Sequence, residues 1–351
     1  NKFKNKNYLS KNYNYHEVKN FIEFENFLRK KKFIALNILD RSISFHKIYR
    51  TLKKNNVKQI LISDTGYIPG NEFIIKEKFV ISFINYLKKR IGYIFFRLFV
   101  IFGFYPAIDL YLEASKTTID KINNGISKKL DNFLKCNLFS YYKKIKHINC
   151  RYFNKNLKNS INNQKIISFL ETPLNHPDRI LKEGPISNEY KKKYYRYLIN
   201  FLEQIEKIFK KKIVICAHPF SDLNEIKKIF KNFKVEQNKT ENNVSKSEIV
   251  IFHQTSSIIQ AIYQKKKIIN LESYLMGNFL NYRNKLYQKH LKLLLINLSE
   301  NYSLDKIKIN KILVKNIKSY DNFIKKNIVN NKKFTHNELI CKEIINFHGK
   351  K

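Results

Sequence analysis

The chain has 351 residues, of which 43% are hydrophobic and 27% are charged, with 68 Lys and Arg against 28 Asp and Glu. This apolar content excludes a wholly disordered chain, because so many hydrophobic side chains can bury a core. Only 8 Gly and 6 Pro exclude a collagen-like or Pro/Gly-rich protein. No fixed repeat is visible, which argues against a solenoid or propeller. The length fits one large or two ordinary domains.

The formal net charge is +40 at pH 7, which in general favours nucleic acid or an anionic membrane as a partner. The excess is spread along the whole chain, and Lys, Asn and Ile are abundant throughout. This pattern is typical of an AT-rich genome, since all three residues have AT-rich codons. No Arg-rich tract, zinc-finger spacing or RNA-binding aromatic motif accompanies the charge. We therefore predict no nucleic-acid partner and favour an anionic membrane surface or a phosphorylated substrate.

The cysteines and the first thirty residues bear on the cellular compartment. Cys136, Cys150, Cys216 and Cys341 are widely spaced, with no CxxC pair and no His at metal-ligand spacing. They are typical of reduced thiols in a cytoplasmic protein. Residues 1–30 are polar and do not resemble a signal peptide. We expect a cytoplasmic protein, with peripheral contact at the inner face of the cytoplasmic membrane as an option.

The first half of the chain alternates helical spacing with continuous apolar runs. These patterns predict, in chain order, a helix at 18–29, a strand at 33–39, a helix at 42–55, a strand at 59–63 and a strand at 109–113. The strand at 59–63 runs into the Gly- and Pro-containing loop Asp64–Gly70.

The apolar segment 91–112 raises the question of a membrane span. Arg97 and Asp109 interrupt it, and Pro106 would break a helix. A spanning helix needs about 20 apolar residues without such interruptions. We predict a buried helix followed by a strand, and keep an interfacial membrane patch as the alternative.

The second half alternates strands and helices more regularly. The predicted elements are strand 165–170, helix 189–209, strand 213–217, helix 223–230, strand 248–252, helix 258–263, strand 267–271 and helix 279–295. Such alternation favours parallel sheets. We predict an α/β fold of two Rossmann-like domains, residues 1–160 and 161–351, facing a central cleft. The polar motifs follow strand ends, where ligands of such sheets bind.

Two polar motifs follow neighbouring predicted strands. Thr255-Ser256-Ser257 opens a helix, where hydroxyls and backbone N–H groups can bind a phosphate. The alternative is that these residues only cap the helix. In His218-Pro219 the proline fixes the turn, so the imidazole can donate to a phosphate. A lone His is commonly structural, and only the pairing of the two motifs favours a site.

His-Pro after one strand and Ser-Ser after the next resembles the donor half of GT-B glycosyltransferases. The segment is most similar to bacterial sialyltransferases and related capsule or lipooligosaccharide transferases that use CMP-activated acidic sugars. The resemblance covers residues 165–275 well and the first half loosely. It implies that His218 with Pro219 and Ser256 with Ser257 bind the donor phosphate, and Thr255 is a further candidate because it belongs to the same strand-to-helix segment. It also implies an acceptor-side first domain and a final helix that crosses back to it.

The same families place an acidic residue on a strand-end loop of the first domain, often in an acidic-acidic-Gly pattern. Asp64-Thr65-Gly66 is the closest match, with Thr65 in place of the second acid. The resemblance implies that Asp64 is the general base on the acceptor hydroxyl, with Gly66 beside it in the cleft. An Asp-x-Gly turn is also common for conformational reasons alone. Glu113 and Asp40 are the fallback candidates.

Glu171 to Asp178 resembles the start of the second domain in surface-polysaccharide transferases. Glu171, His176, Asp178 and Arg179 are therefore candidates to line the cleft, the alternative being a loop that only caps the next helix. Glu272, just past a predicted strand, is a candidate to bind the ribose or base of the donor. No Asp-x-Asp motif, Walker loop or GxGxxG is present. We expect no metal and no cofactor.

These observations predict a metal-independent glycosyltransferase of bacterial lipopolysaccharide or capsule biosynthesis, with a nucleotide sugar as donor and a glycan or glycolipid as acceptor. The donor that the resemblance implies is a CMP-linked sialic acid or related acidic sugar. A UDP-sugar transferase or epimerase and a polyol-phosphate transferase are alternatives on the same fold. A polyanion-binding protein without enzymatic activity is the alternative of another class.

Overall fold

A computed structural model describes most of the chain. The described residues are 20–30, 34–36, 45–64, 91–125 without 93, 94 and 97, residue 132, 142–153, 165–298 without 177, 178, 181, 182, 279, 282, 283, 285, 286 and 288–290, single positions 309, 313, 314 and 317, and 319–349. Everything below refers to these residues.

The first half forms a sheet of four parallel strands. They are β1 (Ile34–Leu36), β2 (Lys58–Ser63), β3 (Leu110–Glu113) and β4 (Ile145–His147), in the order β1-β2-β3-β4. Three helices of this half have described bounds, α1 (Phe21–Lys30), α2 (His46–Lys54) and α3 (Lys116–Asn123). All four residues of β3 are buried, as expected for a parallel strand covered on both faces.

The second half forms a sheet of six parallel strands. They are β5 (Ile166–Leu170), β6 (Lys212–Ala217), β7 (Lys234–Gln237), β8 (Ser247–Phe252), β9 (Lys267–Glu272) and β10 (Leu294–Asn297). Their order is β10-β9-β8-β5-β6-β7. Strands β6 and β7 therefore follow on one side of β5, and β8, β9 and β10 follow on its other side. This reversal opens a crevice above the carboxyl ends of β5 and β8, the usual ligand position in such sheets.

Helix α4 (Asn188–Phe209) covers one face of this second sheet. It begins at Ser187, whose hydroxyl accepts a hydrogen bond from the Tyr190 N–H, and ends at Lys210 in the left-handed conformation. The side chains on its inner face recur three to four positions apart and are buried, namely Tyr194, Tyr197, Leu198, Phe201 and Ile205. The remaining helices of this half are α5 (Leu223–Ile229), α6 (Thr240–Lys246) and α7 (Ile258–Tyr263).

The two parallel sheets confirm the predicted fold class, two Rossmann-like α/β domains. The predicted strands that correspond to β2, β3, β5, β6, β8 and β9 agree with the structure to within one residue. The helix predicted over 279–295 is wrong at its end, because Leu294–Asn297 pairs with β9 as strand β10. The apolar run at the end of this segment is short, so the spacing of its apolar residues does not distinguish a strand from a buried helix. The strands β4 and β7 were not predicted.

The segment 91–112 is helical at its described positions up to Ile101, turns before Pro106, and enters β3 at Leu110. The predicted order of a helix followed by a strand is confirmed. The prediction that the helix is buried is only partly right, because Phe96 is buried while Phe95 and Leu98 are exposed. Among the described residues, no helix combines the length and the apolar content needed to cross a membrane.

The last two helices return to the first half of the chain. They are α8 (Tyr320–Asn327) and α9 (His336–His348). Phe323 and Leu339 belong to one apolar cluster with Ile60 and Leu112 of the first sheet, and that cluster also contains Phe252 of the second. The expected crossing of the C-terminal helix is confirmed. The domain limits 1–160 and 161–351 stay a prediction, because residues 154–164 lie outside the described part.

Asn149, just after β4, forms the hydrogen bonds that hold the segment between α8 and α9 against the first half. Its side-chain oxygen accepts hydrogen bonds from the N–H groups of Asn330 and Asn331, both at 2.8 Å. Its amide donates to the carbonyls of Asn331 and Phe334, at 2.8 and 2.7 Å. One fully buried side chain therefore satisfies four backbone groups.

Replacing Asn149 by Ala should lower the free energy of unfolding by about 2–4 kcal/mol, because two backbone donors and two backbone acceptors lose their hydrogen-bond partner. Urea denaturation of the full chain measures the loss. Asn232→Ala removes an exposed side chain that donates to Glu203 at 3.2 Å, and it should change the same free energy by no more than about 0.5 kcal/mol. An equal loss of free energy of unfolding in the two variants would show that the hydrogen bonds of Asn149 do not stabilise the contact between the halves.

Candidate functional site

His218 lies directly after β6, at the carboxyl edge of the second sheet. Its Nδ1 accepts a hydrogen bond from the Phe220 N–H at 3.2 Å. Burial, and to a smaller extent the neighbouring His176, lower the pKa of His218, so the ring is neutral at pH 7. With Nδ1 as the acceptor, the proton of the neutral ring lies on Nε2, which can donate to a ligand oxygen.

Glu171 holds the turn that carries His218. It follows β5 and is buried, and its Oε2 accepts hydrogen bonds from the His218 N–H and the Ser221 hydroxyl, both at 2.8 Å. Gln237 supports the same turn by donating to the carbonyls of His218 and Ser221. Burial raises the pKa of Glu171, and its Oε1 has no hydrogen-bond partner among the described residues.

His176 approaches His218 from the loop after β5. The two ring centroids are 5.8 Å apart and the rings meet edge to face. Pro219 follows His218 and is exposed. The structure therefore brings together the predicted residues Glu171, His176, His218 and Pro219 beside the crevice.

The Thr255-Ser256-Ser257 segment leads from β8 into α7, and all three residues are half-buried. Ser257 makes no side-chain capping bond. Instead, the Thr255 hydroxyl oxygen accepts from the Ser257 N–H at 3.3 Å. Thr172, after β5, donates its hydroxyl to the Gln254 carbonyl at 2.8 Å. This bond connects the loop after β5 to the loop after β8. The segment 255–257 therefore lies at the edge of the crevice.

Ser256 contacts the turn after β4, which belongs to the other half of the chain. Its hydroxyl oxygen lies 2.7 Å from the Tyr152 hydroxyl. The preceding residue, Arg151, stacks on the Tyr152 ring and places its Nε 3.6 Å from an Asp64 carboxylate oxygen. Asp64 and Ser256, which come from different sheets, thus contact adjacent residues of a single turn.

Asp64 lies at the carboxyl end of β2 with 28% of its side chain exposed. Its second oxygen is 3.5 Å from Nε2 of His336, at the start of α9. His336 and Arg151 together lower the pKa of Asp64, although partial burial opposes them. Asp64 is therefore ionised at neutral pH. Gly66, Thr65 and Asp40 lie outside the described residues.

Glu113, the fallback for Asp64, occupies a different environment. It ends β3, is buried, and accepts hydrogen bonds from the Tyr111 hydroxyl and from the Ser115 N–H at 2.8 Å. Burial raises its pKa. Asp64 is thus the more accessible of the two carboxyl groups.

The remaining predicted cleft residues have separate surroundings. Glu272 ends β9 and is half-buried, and its backbone carbonyl accepts from the Leu298 N–H at 2.7 Å. The Arg179 guanidinium is buried and donates to the carbonyls of Met276 and Gly184, at 3.1 and 2.6 Å. Asp178 lies outside the described residues.

Several residues that the structure places here were not predicted from the sequence. Arg151, Tyr152 and His336 reach the site only through the fold, since no motif surrounds them. His253 was visible as the residue after β8 but was not singled out. It is buried 5.3 Å from the Tyr194 ring, and burial lowers its pKa to about 3.

The described residues contain no group of three or more His, Cys, Asp or Glu side chains that could hold a metal ion. Metal independence remains a prediction.

No known protein family matches the chain, and no curated protein sequence matches it. Solved structures with a similar chain arrangement include CalG4, the calicheamicin glycosyltransferase, with 7% identity over 87% of this chain and 71% of that chain and a TM-score of 0.45. A UDP-N-acetylglucosamine 2-epimerase has 10% identity over 94% and 77%, with a TM-score of 0.43. The wall teichoic acid polymerase TagF has 14% identity over 83% and 69%, with a TM-score of 0.43. Similarity at this level says nothing about the substrate.

Glu171→Gln should change how stability depends on pH. Because the folded pKa of Glu171 is raised above its ordinary value of 4.5, the unfolded chain ionises first as pH rises. The wild type should therefore lose stability relative to the variant, by about 1.4 kcal/mol per pH unit between the two pKa values. Urea denaturation over a pH series measures the difference. Glu189→Gln, at an exposed position of α4, is the matched control and should keep the wild-type profile. A difference in the free energy of unfolding between wild type and Glu171→Gln that stays the same at every pH would contradict the raised pKa of the Glu171 carboxyl.

Proposed function

We propose that the protein is a glycosyltransferase that moves a sugar from a nucleotide-activated donor to a glycan or glycolipid acceptor. One observation carries the proposal. Asp64 on the first sheet and Ser256 on the second contact adjacent residues of the same turn, Arg151 and Tyr152. This proximity supports the proposal, because a candidate base and a candidate phosphate-binding hydroxyl lie beside the same turn.

The phosphate subsite would consist of His218 and the hydroxyls of Thr255, Ser256 and Ser257. His218 is suited to this role because its Nε2 proton is available while its Nδ1 is occupied by the Phe220 N–H. A neutral donor binds a phosphate in the ground state and gains strength as negative charge develops on the departing oxygen. Glu171 would act as a positioning residue, since it holds the backbone N–H of His218.

Asp64 would take the proton of the acceptor hydroxyl while that oxygen attacks the anomeric carbon and the nucleotide leaves. Its ionised state at neutral pH suits proton abstraction, although the contacts with His336 and Arg151 that lower its pKa also weaken it as a base. Movement of Arg151 or His336 away from the carboxylate on acceptor binding would restore its basicity.

The donor class follows from the sequence resemblance, which implies a CMP-linked acidic sugar of bacterial surface-glycan synthesis. The net charge of +40 suits an acidic donor. Each binding assay should compare uridine nucleotides with CMP, because a UDP-sugar transferase or epimerase is the alternative on this fold. Glu272 is a candidate contact for the nucleoside.

CMP should raise the thermal unfolding temperature of the wild type, with UDP and GDP having smaller effects. His218→Ala should weaken CMP binding about 10- to 150-fold, since a hydrogen bond to a charged group contributes about 1.5–3 kcal/mol. Thermal shift titrations give both results. His348→Ala, at an exposed position of α9, is the matched histidine control and should bind CMP as the wild type does.

A UDP-selective shift that disappears in His218→Ala would replace the donor class and keep the phosphate subsite. No shift with any of the three nucleotides would contradict the proposal. Binding of anionic polymers that is unaffected by His218→Ala and abolished by salt would then favour the polyanion-binding alternative.

Asp64→Asn should lower kcat for sugar transfer about 100- to 10,000-fold, because it removes the proposed general base. Nucleotide binding should remain, because His218 and the hydroxyls of Thr255 to Ser257 are unchanged. Steady-state kinetics with the donor that the titrations select measures the loss. Asp120→Asn, at an exposed position of α3, is the carboxylate control. Unchanged turnover in Asp64→Asn together with a large loss in Glu113→Gln would transfer the role of base to Glu113.

A further inference from the structure

The exposed apolar side chains of the second half are concentrated at one edge of its sheet. Within the described part of residues 165–298, the large hydrophobic side chains that are exposed are Ile180, Tyr190, Phe220 and Tyr274. Ile180 and Tyr190 follow β5, Phe220 follows β6 and Tyr274 follows β9. All four therefore lie at the carboxyl edge, where ligands of such sheets bind. Exposed apolar side chains that gather at such an edge mark a contact surface.

Phe220 is the most exposed of the four, with 80% of its surface accessible. Its N–H donates to Nδ1 of His218 at 3.2 Å, and the Ser221 N–H donates to the His218 carbonyl at 2.9 Å. Glu171 and Gln237 bind the backbone of the same turn. These hydrogen bonds fix the backbone of the turn, so the apolar ring is held at the surface.

The Phe220 ring lies beside the imidazole of His218. The two ring centroids are 5.4 Å apart, and the rings are tilted by 59°. In a nucleotide, only the ribose separates the base from the first phosphate. A phosphate at Nε2 of His218 therefore leaves the base within reach of the Phe220 ring.

A phosphate gains nothing from an apolar ring, whereas a nucleobase does. Every base has a flat π-face that stacks on an aromatic side chain. Since most of the Phe220 surface is accessible, a face of its ring is open to a ligand. The turn after β6 thus presents a hydrogen-bond donor for a phosphate and an aromatic face for a base next to each other.

We propose that Phe220 is the side chain on which the base of the nucleotide donor stacks. This inference rests on the function proposed above, because it takes the phosphate to lie at His218. Stacking uses the face of the base and not its polar edge. Phe220 therefore contributes affinity for cytidine and uridine nucleotides alike, and the choice between them falls to polar groups elsewhere in the cleft.

A single tryptophan tests the contact directly, because the chain contains no Trp. The fluorescence of Phe220→Trp should be quenched on titration with CMP and with UMP, since the base stacks on the indole. Phe102→Trp places the same reporter at an exposed position of the first half, where no quenching beyond light absorption by the nucleotide is expected. Ribose 5-phosphate carries the phosphate and the sugar without a base and should not quench Phe220→Trp.

Isothermal titration calorimetry measures the contribution of the ring to affinity. Phe220→Ala should weaken the binding of CMP and of UMP by the same factor, about 5- to 150-fold, which is the range for loss of one base–aromatic stack. Phe220→Tyr keeps an aromatic face and should bind both nucleotides nearly as the wild type does. The N–H that holds His218 belongs to the backbone and remains in both variants. Unfolding in urea at the wild-type midpoint verifies that the Phe220→Ala variant is folded.

The outcomes separate this inference from the proposed function. Wild type that binds none of CMP, UMP and UDP would contradict the proposed function and this inference with it. Nucleotide binding that is the same in wild type and Phe220→Ala would overturn this inference alone, and a loss in Tyr274→Ala would then place the base beside β9. Quenching of Phe220→Trp by ribose 5-phosphate as strong as that by CMP would overturn it too, because Phe220 would then contact a sugar ring.

Discussion

The two sheets are fixed against each other by the return of the chain end to the first domain. Helices α8 and α9 fill an apolar cluster to which both sheets contribute, and the Asn149 side chain satisfies four backbone groups of the segment between them. Buried backbone groups without partners would be costly. The relative position of the two carboxyl edges, and with it the candidate cleft, depends on this attachment.

The same attachment explains why the site contains residues from distant parts of the chain. Asp64 meets His336 of α9 and Arg151 of the turn after β4, while the adjacent Tyr152 contacts Ser256 of the second sheet. These contacts cross the junction between the halves. A rearrangement of the junction would therefore change the surroundings of Asp64 and of Ser256 together, which couples the proposed acceptor side of the cleft to the proposed donor side.

The sequence was sufficient to predict most buried strands, because runs such as Ile213–Ala217 and Glu248–Phe252 are apolar, short and bounded by polar turns. It was also sufficient to place His218 and Ser256 at strand ends. It could not predict β4 or β7, whose residues are mostly half-buried and carry little hydrophobic pattern. Nor could it show that Glu171 holds His218, or that His336 faces Asp64. Those contacts join residues separated by 47 positions or more and arise only from packing.

The return of α8 and α9 also sets an order for folding during synthesis. The Ser115 hydroxyl donates to the side chain of Asn327, 212 positions later. At about 5–20 residues per second, the ribosome needs about 10–40 s to make the intervening chain. From the synthesis of β4 until α8 and α9 follow, part of the apolar surface of the first sheet stays uncovered. The N-terminal half is thus the last part of the nascent protein to become complete, and for that interval it is a natural client for chaperones.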